Sequence, residues 1–166
     1  MVYVPNPREP SGVFEGQIIE NALTILTRDF QEALDHYYPS QNLPDFAELE
    51  IGPALRNVFP CGAIEPRTNR TEGAEDNSHI LEICRFRVYV AVTGDGPKAT
   101  TRKLFKYVRV VHLVLQNAKQ DFFSGMSNAF GLVLIDFEHA YDVTREKDSI
   151  ISRAAGIEVS IGIRER

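Results

Sequence analysis

The chain has 166 residues, of which 43% are hydrophobic and 25% charged, with a formal net charge of −5. That length supports one well-buried core and is short for two ordinary domains, and the composition excludes a disordered or fibrous chain. The negative charge argues against a protein that coats nucleic acid through its overall field, while leaving local basic surface open.

Taken in chain order, residues 1–16 read as an extended arm, because Pro5, Pro7 and Pro10 interrupt any periodicity. They also lack the apolar run of a secretory signal, and no window approaches a membrane span. The expectation is a protein made and kept in the cytoplasm, or in something assembled there, with no membrane partner. Residues 17–166 read as a single α+β domain. From Gln17 to Tyr37, the residues Ile19, Leu23, Leu26, Phe30, Ala33, Leu34 and Tyr37 recur at helical spacing. The other face of that helix carries Glu20, Arg28, Asp29, Glu32 and Asp35. Residues 39–53 read as a proline-rich connector, Ala54 to Phe59 as one helical turn, and Cys61 to Arg67 as a short strand that ends at a sheet edge where Pro66 removes a donor.

Thr68 to Ser78 reads as a long, polar hairpin loop. Ile80 to Val92 is the clearest strand, with Cys84, Phe86, Val88, Val90 and Val92 on one side and Arg85, Arg87 and Tyr89 on the other. A Thr93-Gly94-Asp95-Gly96 turn leads to Pro97, which suits the first helical position. The helix runs to about Asn117, burying Leu104, Tyr107, Val108, Val111, Val114 and Leu115. Two more strands follow, Leu132 to Tyr141 and Ile151 to Arg164, the second with Ala155, Ile157, Val159, Ile161 and Ile163 facing inward. The expected fold is α+β, in the order α-β-β-α-β-β. Both helices pack on one face of a four-stranded, mainly antiparallel sheet.

Little in the sequence points to catalysis. His36, His79, His112 and His139 have no second ligand at metal spacing on their own elements, and Glu138 and His139 point to opposite strand faces. Asp136 and Glu138 share a face, where solvated charge or interface contact is the plainer reading than an acid/base pair. Cys61 and Cys84 read as buried thiols. No serine elbow, phosphate loop or dinucleotide fingerprint is present, so no catalytic residue, metal or cofactor is expected.

The second helix stands out because it carries Lys98, Arg102, Lys103, Lys106 and Arg109 and no acid. Three readings are open: a solvated face, contact with an acidic surface such as the Glu20, Asp29, Glu32 and Asp35 face of a neighbouring copy, or contact with phosphates.

The element order, the Asn57-Val58-Phe59-Pro60 lead, the Arg85 to Val92 strand feeding a helix and the closing Gly156-Ile157-Glu158-Val159 strand resemble the tail-terminator, or tail-completion, proteins of tailed bacteriophages. The resemblance implies a structural virion protein forming a hexameric ring that caps the tail tube and joins it to the head-side connector, with DNA passing through unread. It implies a channel-lining loop, for which Arg70, Glu72, Glu75 and Asp76 are the candidates, although a merely solvent-exposed loop reads equally well. Subunit contacts would use the second helix, sheet edges and the arm. The alternative is a small-ligand or regulatory binding domain using Arg85, Arg87 and Tyr89.

Overall fold

Alternating and helical hydrophobic patterns each bury one side of their element, and the tertiary structure joins those sides. The computed structural model describes residues 14–67, 70–73, 80–124, 129–142 and 144–165. Helix α1 spans Phe14–Tyr37, followed by strands β1 (Glu48–Ile51), β2 (Cys61–Pro66), β3 (Arg70–Gly73) and β4 (Ile80–Thr93). Helix α2 spans Pro97–Asn117, and a 3-10 turn, Lys119–Phe123, leads to β5 (Ala129–Tyr141), β6 (Arg145–Lys147) and β7 (Ile150–Glu165). The fold is α+β: two helices on a mixed sheet with strand order β1-β2-β4-β7-β5, where β3 joins the outer side of β4 and β6 pairs with β7.

The four long or medium strands lie where alternation places them, and the sheet is richer than four strands. The connector contains β1, which pairs parallel to β2, with Glu48 opposite Cys61 and Ile51 opposite Ile64. Residues 70–73 of the expected loop pair with Ile80 to Ile83, and residues 145–147 pair with Ile150 to Ser152. Residues 54–59 form no helical turn. These short strands of 4, 4 and 3 residues are too brief to show alternation, and their pairing comes from neighbours. Most of the expected arm and the loop residues Glu75 and Asp76 lie outside the described residues.

Local chemistry explains the boundaries. Pro66 is the last residue of β2, and the Arg67 N–H donates to Arg85 O on β4. Backbone donors alternate in direction along a strand, so the donor Pro66 lacks would point to the β1 side, where β1 has already ended. Gly96, at φ 110°, sits in a conformation that side chains disfavour, and Pro97 follows in the first turn of α2. Asp148 and Ser149, at φ 51° and 64°, make the two-residue turn between β6 and β7, with a twist that suits a hairpin.

Both helices cover one face of the sheet. Cys84, Phe86, Val88, Val90 and Val92 of β4 and Ala155, Ile157, Val159, Ile161 and Ile163 of β7 meet Ile18, Ile25, Leu26, Phe30 and Leu34 of α1 and Leu104, Tyr107, Val108, Val111 and Leu115 of α2. Tyr37, expected inside, is exposed, while Ile18, Ala22 and Ile25 extend the buried stripe of α1. Each fully buried large side chain contributes about 2–3 kcal/mol through area removed from water. Phe30 stacks on Phe46 at 4.3 Å between centroids, and both rings lie against Tyr107. The Tyr107 hydroxyl donates to Pro44 O, tying the connector to α2, and burial pushes that phenol well above its usual range. Asn21, buried in α1, donates from one amide nitrogen to Phe122 O at 2.8 Å and Ser124 O at 3.0 Å, which fixes the 3-10 turn against α1.

Candidate functional site

The two helices divide the sheet between them. Helix α1 packs over β1, β2 and β4, and α2 packs over β4 and β7 beside β5. One flank of the molecule is therefore the β1 edge with its connector, and the opposite flank is the α2–β5 edge. Among the described residues, seven large hydrophobic side chains are exposed, and six of them fall into these flanks: Ile51 ends β1 and Leu55 and Val58 follow it, while Phe105, Tyr141 and Ile150 lie on α2, β5 and β7. The β1 flank also exposes the acids Asp45 and Glu50, with Glu48 half-buried beside them.

The α2–β5 flank holds an open cleft of about 740 Å³, lined by Arg102, Lys106, Arg109, His112, His139 and Tyr141 together with Phe105 and Tyr38. Among the described residues, no carboxylate lines it. Its apolar walls are the Phe105 and Tyr141 rings, which meet edge to face with centroids 5.3 Å apart. At its base His112 Nδ1 lies 2.9 Å from His139 Nε2, one nitrogen donating to the other. The His112 ring also stacks on Phe137 at 4.1 Å. Burial, and for His112 the neighbouring imidazole too, lowers both pKa values, so the pair is neutral near pH 7.

The candidate interface residues are distributed unequally. Arg102, Lys106 and Arg109 line the cleft, whereas Lys98 is exposed at the start of α2 and outside its lining. Lys106 bonds Gln41 Oε1 and lies 5.6 Å over the Tyr38 ring, so part of its charge is used within the chain. On α1, Asp29 is paired with Arg28 at 2.6 Å, and that contact holds its carboxyl below the usual range. Asp35 accepts from Gln31, while Glu20 and Glu32 are exposed. Asp29 and Glu32 line a separate groove between α1 and α2. Arg70 and Glu72 lie on β3, which extends the sheet beside the first residues of β4.

The outer face of the sheet carries an ion-pair cluster that spacing does not disclose. Glu65, Arg87, Glu158 and Glu138 occupy one cross-strand row over β2, β4, β7 and β5. Glu158 Oε1 accepts from Arg87 at 2.6 Å and lies 3.1 Å from Arg67. Gly156 leaves room for this contact, since a Cβ there would come within 3.0 Å of the Arg87 side chain. Arg87 is thus engaged with Glu158, and Tyr89 lies beneath the Arg56 guanidinium at 5.7 Å, so Arg85, Arg87 and Tyr89 do not converge on one open site. The Arg56 guanidinium nitrogens are buried and have no hydrogen-bond partner among the described residues, in a small cavity that Glu48 and Glu50 also line.

Cys61 and Cys84 are buried on adjacent strands, β2 and β4, and on opposite sheet faces. Cys61 packs with Ala91 and Ala154, and Cys84 sits in the helix-side core. Among the described residues, no group of three or more His, Cys, Asp or Glu side chains is placed to hold a metal ion. No described helix is long and apolar enough to cross a membrane. A scan against protein-family models returns no match for the chain, and a search of curated proteins returns none.

Proposed function

We propose that this chain is a structural virion protein, the subunit of a closed head-to-tail ring of about six copies that caps the tail tube of a tailed bacteriophage and joins it to the head-side connector. The observation that carries this reading is the pairing of unlike flanks on one subunit. The β1 flank offers acids beside Ile51, Leu55 and Val58, and the α2–β5 flank offers cations beside Phe105 and Tyr141. Two different, mutually complementary surfaces on opposite edges generate a heterologous contact, and such contacts close into rings when the rotation per subunit permits. The element order and strand patterns that resemble tail-terminator proteins supply the biological setting.

In that setting the partners are further copies of the chain, tail-tube subunits and connector subunits, with DNA passing through the lumen without sequence contact. The location is the tail or neck of a virion assembled in the host cytoplasm. Residues 68–78, with Arg70, Glu72, Glu75 and Asp76, are the segment assigned to the channel, where an acidic lining would let DNA slide. Arg102, Lys106 and Arg109 act at the subunit contact, with Lys98 at its rim. The reading assigns no catalytic role to the chain and no cofactor.

Native mass spectrometry over a concentration series, with negative-stain images of the same sample, tests the reading. Closed rings of about six subunits are the expected result. A monomer at every concentration, unchanged by added tail tubes, would overturn it. Leu55→Asp should prevent ring closure while leaving the fold intact.

A further inference from the structure

The cleft at the α2–β5 flank has a chemical selectivity beyond general basicity. Three cations and two imidazoles surround it, three aromatic rings line it, and among the described residues no carboxylate does. The His112–His139 contact at 2.9 Å requires one N–H and one lone pair, so the pair accommodates one proton beyond neutrality far more readily than two. An arriving carboxylate that accepts from one imidazole frees the other nitrogen and stabilises a positive charge that the free cleft disfavours.

We propose that the α2–β5 cleft is a carboxylate-binding site built around the His112–His139 pair, and that its occupant is Glu50 of a second copy, accompanied by that copy's Leu55. This rests on the ring reading and adds the identity and proton state of the contact. Glu50 and Ile51 are the last two residues of β1 and both are exposed, and Leu55, 62% exposed, follows them. The carboxylate meets the cations and imidazoles, while Leu55, beyond the end of β1, meets Phe105 and Tyr141. The complementarity is thus of both charge and apolar surface.

The groups facing the pair define its pH response. From α2 these are Arg102, Lys106 and Arg109; from β5 they are Phe137 and Tyr141; and Tyr38 faces it from the end of α1. Burial, and for His112 the neighbouring imidazole, disfavour a protonated ring in the free subunit, and the incoming carboxylate reverses that balance. Association therefore takes up a proton, and it strengthens as pH falls through neutrality, by up to about tenfold per pH unit for one proton per contact.

Sedimentation velocity at fixed ionic strength from pH 8.5 to 5.5 measures this, using the full chain and the variants His139→Gln and Glu50→Gln. The expected result is tighter association at lower pH for the native chain, a flat profile for His139→Gln, and weaker, flat association for Glu50→Gln. Thermal melts of the variants confirm folding, and imidazole NMR titration shows a raised histidine pKa in the assembled form. Rings whose stability does not change with pH would overturn the carboxylate site while leaving the ring reading in place. An unaltered slope in His139→Gln would place the proton elsewhere and also overturn the site. Absence of assembly at every pH would overturn both.

Discussion

The two faces of the sheet are made from alternate residues of the same strands, yet they have different roles. On the helix-covered face, Phe86, Val88, Val90, Ile157, Val159 and Ile161 are fully or nearly fully buried in one hydrophobic cluster with apolar side chains of the helices. On the outer face, Arg87, Glu158, Glu65 and Glu138 form a partly exposed charged row, with Arg67 and Asp136 nearby. Area burial is additive and strong, whereas partly exposed ion pairs are screened and offset by side-chain ordering. Stability should therefore reside in the inner face, leaving the outer face and the flanks free for contacts with other chains.

The largest effect that would confirm this division comes from Phe86→Ala. That ring is completely buried and tilted against Phe122, and its loss should cost about 3–5 kcal/mol, measured by urea unfolding. A loss below about 1 kcal/mol would mean that the inner face is not the stabilising layer. Asn21→Leu probes a buried polar anchor within that layer. It leaves Phe122 O and Ser124 O without their amide donor, so a loss of about 2 kcal/mol is expected, together with faster amide exchange in the 3-10 turn.

Outer-face changes should be smaller. Glu158→Gln removes the charge that holds Arg67 and Arg87, but it also relieves the like charge of Glu138 directly opposite. About 0.5–1 kcal/mol is expected, and the difference should shrink further in 0.5 M salt. The smallest effect on folding belongs to the flank. Leu55→Ser should change monomer stability by less than about 0.5 kcal/mol, because the side chain is 62% exposed. The same substitution should weaken subunit association at least tenfold, which sedimentation velocity would detect. If Leu55→Ser instead unfolds the chain, the flank belongs to the core and the comparison fails.

The pH response has the opposite dependence in another part of the molecule. Asp29 is held below its usual range by Arg28. A depressed carboxyl contributes stability that is present above its unfolded value near 3.8 and is lost as pH falls through the folded value. Asp29→Asn should flatten the acid limb of the stability profile below about pH 4 without touching association near neutrality. The histidine pair acts near neutrality and on association, so the two regions can be separated by pH alone.

The amino-acid sequence by itself determined the two helices, the four longer strands and, for the helices, β4 and β7, the side that faces inward, because a period of 3.6 or 2 is a local property of the chain. It also marked the Pro66 strand end and the basic face of α2. Only the tertiary structure decided the remaining strands and the site. The strands β1, β3 and β6 carry too few residues for a period to show, and they exist because neighbouring strands offer free donors and acceptors. His112 and His139 lie on different elements, Glu158 meets Arg87 from a distant strand, and Ile51, Leu55, Phe105 and Tyr141 fall into opposed flanks through the strand order. Periodicity reports which side of an element is buried, while the pairing of strands decides which residues from distant segments share a surface.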